Sequence, residues 1–341
     1  MRLRVLLCSS CFLAIGLAAR AAESHFTVYV SDERGGNVTV VDGASSEVRA
    51  TWPVGKRPRG IHVSPDGRTL FVAVSGSPII APGAHTDRAA SQAPDRNEDG
   101  IVLVDTSTGR ILKKLSVGSD PEQFALTKDG RRLIVSNEDE SMATCWDVES
   151  GARIFATKVS EEPEGVAVTP DGREVYVTCE QRGDVFVLGT HDGRTLATLH
   201  VSGRPRSVAF LPDGSRAYVP AEGEASVTVA DARAHRVLST LQIPGQDVLP
   251  MCAVTSPHGD FVYVSTGRGN SVAVIETRTN RVAGTIAVGR RPWGIALSPD
   301  GQTLFAADGK SDEVSVVDVA ARKELRRIKA GHGPWGIVVG P

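Results

Sequence analysis

Glu138, Glu180 and Glu222 stand 42 residues apart, and Glu33 holds the matching position near the N-terminus. Carboxylates presented at a fixed period by neighbouring loops can hold a cation or attract a basic partner. The plainer alternative is that each is solvated. Arg59, Glu122, Glu164, Arg206, Met251, Trp293 and Trp335 form a second series, each directly after a proline. Guanidinium groups can clamp a ligand's carboxylate, and indoles can anchor an apolar surface. Equally, these charges can pair with one another while the tryptophans fill space.

Two further constellations carry possible chemistry. His62 is the one titratable member of a series otherwise made of Ala125, Ala167, Ala209, Val254, Ala296 and Val338, so it is a candidate base or ligand, or a satisfied core histidine. The stretch Asp95-Arg96-Asn97-Glu98-Asp99-Gly100 has the D-x-N-x-D-G opening of a calcium loop, with Asp95, Asn97 and Asp99 as candidate metal ligands. Thr106 stands where the twelfth-position acid belongs, which favours an Asx-rich turn. No G-x-S-x-G, H-E-x-x-H or phosphate-cradling glycine loop is present. No cofactor is expected beyond that calcium candidate.

These residues are spaced by a repeat. Pro58, Pro121, Pro163, Pro205, Pro250, Pro292 and Pro334 open seven similar segments with a period of 42, broken by one long insertion after Pro58 and a short one after Pro205. Each unit reads as four short strands. In one of them Gly165–Val168 is followed by a Pro-Asp-Gly turn, then Val175–Thr178, Asp184–Leu188 and a strand beginning at Thr195. Four-strand units of this length predict propeller blades.

The seventh proline is followed by only one strand, and three unclaimed strands lie between Thr27 and Val54. The pattern therefore predicts an all-β, seven-bladed β-propeller with four-stranded antiparallel blades, its ring closed where N-terminal strands join the C-terminal inner strand. It spans residues 22–341 as a single domain, with an inserted loop at 75–100. The residues after the prolines then ring the channel mouth.

Tyr29-Val30-Ser31-Asp32, Ile134-Val135-Ser136-Asn137, Tyr176-Val177-Thr178-Cys179 and Tyr263-Val264-Ser265-Thr266 resemble the YVTN family of β-propeller repeats. The segments SGSPIIAPG, DPEQFALTKDGRRLIVSNED and EEPEGVAVTPDG are similar, more narrowly, to periplasmic propellers associated with pyrroloquinoline-quinone-dependent alcohol catabolism. That resemblance implies a quinoprotein dehydrogenase or a cytochrome as partner. The tryptophan docking motifs of quinone-holding blades are missing, so this chain is not expected to carry the quinone itself.

Composition agrees with a large folded body: 341 residues, 41% hydrophobic and 23% charged. The first 21 residues, two arginines, an apolar run and Ala19-Arg20-Ala21, read as a signal peptide, so a periplasmic or secreted protein is expected. The formal net charge is −2, which argues against a nucleic-acid partner, and no later run is long enough for a membrane span. Beyond the signal lie three cysteines without CxxC spacing, so no disulfide framework is expected. Three functions stay open: a non-catalytic binding or scaffold protein, which the missing catalytic signatures favour; a lactonase-like hydrolase using Arg59, His62 and glutamates; and the propeller subunit of a periplasmic dehydrogenase complex.

Overall fold

The computed structural model of the chain describes residues 25–79, 93–201 and 203–341; the expected signal peptide lies outside them. Seven four-stranded antiparallel sheets stand around a channel. A representative blade runs outward through Pro163–Val168, Glu174–Cys179, Asp184–Gly189 and Thr195–His200. The closing blade joins Pro334–Gly340 to Thr27–Asp32, with Thr27 opposite Gly340 and Val30 opposite Ile337, and adds Asn37–Asp42 and Val48–Pro53.

Burial explains the strand sequences. The second strand of the representative blade is buried from Val175 to Cys179, and β-branched and aromatic residues fill both of its faces. The fourth strand of the preceding blade, Arg153–Lys158, alternates exposed and half-buried residues because only one face meets a neighbour. The core accordingly lies between blades. Val28 and Val30 of the closing blade pack with Phe305, Val314 and Val316 of the blade before it. Burial of each such side chain stabilises the ring by about 1.5–3 kcal/mol.

Three local devices aim the inner strands at the channel. The residue before the proline adopts a left-handed conformation in Arg57, Asp120, Glu162, Arg204 and Arg291, with φ between 43° and 60°. This step turns the chain from one blade's outer strand into the next blade's inner strand, and proline then fixes its direction. The glycine of Pro-x-Gly leaves room for the adjacent blade's backbone: a Cβ on Gly165 would stand 2.6 Å from the Arg206 carbonyl oxygen, and one on Gly336 2.5 Å from that of Arg59. Finally, the serine of the second strand donates to the mouth-ring carbonyl of the next blade, from Ser31 to Arg59 (2.6 Å), Ser136 to Glu164 (2.6 Å) and Ser265 to Trp293 (2.5 Å).

The described ends of the insertion lie at the same face. Gly76 donates its N–H to Asp99 Oδ1, and Asp120 donates its N–H to Asp99 Oδ2, so the segment is pinned to the start of the next inner strand. No helix of the described residues is long and apolar enough to cross a membrane.

Candidate functional site

The residues after the prolines do ring the mouth, and their charges meet in two clusters. Arg59, 1% exposed, bonds Glu122 and Asp120 and lies 3.8 Å from Glu138. Arg57 joins the same cluster through Asp120 at 3.9 Å and bonds Glu33 at 3.0 Å. Across the mouth Arg206 bonds Glu164, Glu180 and Glu222, while Arg204 reaches Glu180 at 2.6 Å. The glutamates repeated at 42 residues thus hold a cation, but it is the chain's own guanidinium.

These clusters set the acidities. Burial pushes the Glu138 carboxyl up, with Arg59 opposing, and its side chain keeps 34% exposure. Burial raises Glu164 well above the usual carboxylate range. Although burial also works against Glu180, a hydrogen bond from Glu164 and the guanidinium groups of Arg206 and Arg204 hold it low. Of the two, Glu164 is the more reluctant to ionise.

The remaining third of the mouth is different. Trp293 stacks on Trp335 with ring centroids 5.5 Å apart and planes at 24°. The Arg291 guanidinium stands 5.0 Å from the Trp293 ring and that of Arg206 5.9 Å from it. Beside the indoles a pocket of about 400 Å³ is lined by Arg34, Arg291 and Lys310 together with the paired Glu33, Arg57 and Glu122. Arg34, Arg291 and Lys310 have no carboxylate partner among the described residues. Burial and the neighbouring cation Arg268 depress the pKa of Arg291, with Glu222 and Glu33 opposing.

Beneath the indoles lies a second cavity, of about 220 Å³, which shares only Trp293 and Trp335 with the first. His62 and Met251 line it. His62 packs edge-on to Phe124 at 4.9 Å, and burial depresses its pKa to about 4, the Phe124 backbone opposing. It is neutral at physiological pH and belongs to the lumen, not to the Glu138 cluster, so the expected grouping of Arg59, His62 and glutamates is corrected to Arg59 with acids alone.

The calcium candidates are corrected as well. Asp95 accepts from Lys56 and from the Asn97 N–H, and Asp99 accepts from Arg96 and two backbone N–H groups. Every carboxylate oxygen of Asp95 and Asp99 already has a donor, and the Asn97 carbonyl accepts from Lys114. Among the described residues no cluster of three or more His, Cys, Asp or Glu could hold a metal ion. Cys145, Cys179 and Cys252 are free thiols.

Sequence reasoning missed Arg57, Arg204 and Arg291, although one signal was present: the residue before the proline is charged in five of the seven units. Arg34 and Lys310 gave no signal, since they fall in loops of unequal sequence. Gln123, Ser207 and Cys252 break Pro-x-Gly, and all three line the lumen.

The family described as "Lactonase, 7-bladed beta-propeller" matches residues 157–333. Antigen Lp49 of Leptospira interrogans is 26% identical over 110 residues, 32% of this chain and 23% of that protein, so the match spans under a quarter of the relative's length. Among solved structures, hydrazine synthase of Kuenenia stuttgartiensis superposes with a TM-score of 0.74 at 20% identity, covering 86% of this chain and 92% of that one. A candidate 6-phosphogluconolactonase of Bacteroides fragilis gives 0.76 at 16% identity, covering 94% and 99%. At these identities the two structures share the fold.

Proposed function

This chain belongs to the seven-bladed β-propeller lactonase family, and from that membership we propose that its mouth binds a small lactone carrying an acidic group and opens the ring with water. The observation that carries the proposal is the pocket of about 400 Å³ in which Arg34, Arg291 and Lys310 form no salt bridge among the described residues. Those donors, engaged in no salt bridge of their own, can receive a ligand's carboxylate or phosphate, although Glu33 lines the same pocket and bears on Arg291. Arg57 lines the same pocket and is close enough to Glu138 to bear on its acidity.

In this reaction a water oxygen bonds to the ring carbonyl carbon and its proton passes to Glu138, whose raised pKa suits a general base. The negative charge that develops on the carbonyl oxygen faces Arg57. The ring C–O bond then breaks, and the departing oxygen takes the proton back from Glu138 to give a hydroxy acid.

The pairing of the other mouth acids with guanidinium groups favours a second reading. In it the mouth binds without turnover, as the ligand or partner site of an exported propeller accessory to quinone-dependent alcohol oxidation. The three segments similar to propellers of that setting support it, and the arginine-flanked apolar start supports export to the periplasm or beyond. A quinoprotein dehydrogenase or cytochrome would then be the partner.

A pH-stat assay over γ- and δ-lactones with and without a carboxylate or phosphate separates the readings. Hydrolysis predicts that Glu138→Gln lowers kcat by about 10²–10⁴. Arg291→Ala should raise KM by about tenfold, the worth of one charge-assisted hydrogen bond, for acid-bearing lactones only. Binding without ring opening, with a dehydrogenase retained on the immobilised chain, would select the second reading. Failure of acid-bearing lactones to bind at all would overturn both uses of the cationic pocket.

A further inference from the structure

The lumen under the indole pair has a composition that the mouth chemistry does not use. Its wall is mainly the aliphatic residues of the inner strands, among them Ile61, Val166, Val208 and Ile295. Into this wall two adjacent strands bring His62 and Gln123. Gln123 stands at a position that is glycine in four other blades, and its side chain fills the space that Gly60 leaves in the neighbouring strand. A Cβ on Gly60 would come within 3.0 Å of Gln123 Oε1.

Neither the His62 ring nor the Gln123 carboxamide has a side-chain partner among the described residues, whereas the Ser207 hydroxyl in the same lumen is satisfied by Met251 and Ala253. The backbone bond of the imidazole at Phe124 leaves its second ring nitrogen open, and both polar groups are half-exposed, so a molecule in the cavity can take the hydrogen bonds that water otherwise makes with them. At about 220 Å³ the cavity exceeds what one bridging water fills.

We propose that this lumen is a second binding site, for a small uncharged molecule that both donates and accepts a hydrogen bond, such as a short-chain amide or alcohol. The ligand's O–H or N–H donates to His62, and the Gln123 amide donates to the ligand's oxygen. The aliphatic wall takes its carbon chain. A charged ligand is disfavoured because the ionisable side chains of the wall other than His62, Arg206 and Glu164, are already bonded to each other and the rest of the wall offers no counter-ion. The indole pair separates this ligand from the acid bound above, so the inference does not depend on lactone chemistry at the mouth.

Propanamide and propanoate, which share a shape and differ in charge, are the probes. The whole chain is labelled with ¹⁵N-histidine, and the His62 signals are identified by their loss in His62→Phe. Titration with propanamide should shift the His62 ring nitrogens saturably. Gln123→Leu should raise the half-saturation concentration about tenfold, Arg291→Ala should leave it unchanged, and propanoate should produce no saturable shift. A propanamide titration without saturation would mean that the lumen holds only water and would overturn the proposal, as would equal binding of propanoate or an unaltered response in Gln123→Leu. Because Arg291→Ala disables the mouth and spares the lumen, failure of one site is distinguishable from failure of the other.

Discussion

Asp308 and Asp32 show how much a single residue can change the pH response of the fold. Both end the second strand of their blades and both are fully buried. Burial raises Asp308 to about 7 and Asp32 to about 6, with serine or threonine hydrogen bonds opposing. In the equivalent position Asn137 donates its Nδ2 to the Val117 carbonyl at 2.8 Å and accepts from Thr144. Asp308 likewise accepts from Ser315, yet its Oδ1 has no partner. A protonated carboxyl would supply the missing donor, as the asparagine does. The folded pKa lies above the unfolded one, so this stabilisation is complete below about pH 4 and fades as pH rises through about 7. Arg327 and Glu324, the charges facing Asp308, oppose one another in this. Asp308→Asn should therefore stabilise the protein at pH 8 by about 2–4 kcal/mol, while having little effect at pH 4. Urea unfolding at the two pH values checks this, and equal changes at both would refute it.

At the scale of elements, the serine that ends Tyr-Val-Ser or Ile-Val-Ser ties one blade to the mouth ring of the next. Removing it strands a buried carbonyl, so Ser136→Ala should cost about 1–3 kcal/mol. Ser45→Ala, in a surface turn, serves as the control in the same thermal melts. Blade number, strand order and the closing seam were legible in the sequence because each follows from a period and alternation that need no knowledge of neighbours. The site was legible only in part. Arg59, Arg206 and the glutamates were found by their spacing, but their mutual pairing depends on contacts between residues of different blades. Asp120 and Arg57 were hidden because the residue before the proline reads as a linker. His62 was visible as an exception, and the neighbour that gives it meaning, Gln123, was visible only as a broken motif.

For the whole molecule, closure matters more than any blade. The strand Thr27–Asp32 has Pro334–Gly340 on one side and Asn37–Asp42 on the other. Deleting residues 334–341 would uncover a fully buried edge, and Trp335 would be lost from the partition between mouth and lumen. The truncated chain should melt in a broadened transition and elute as aggregates in size-exclusion chromatography. A sharp transition and a monomeric peak would show that six blades and a fragment suffice.

The seam also fixes how the ring responds to being pulled. Thr27 lies opposite Gly340, so these two strand ends emerge together, beside the Pro-Asp-Gly turn at Gly67 and away from the mouth. Tension applied at these ends opens the ladder one hydrogen bond at a time, like a zipper, rather than loading the whole row in shear. The propeller should therefore yield to a small force at its seam, and the rupture should reach the tryptophans last.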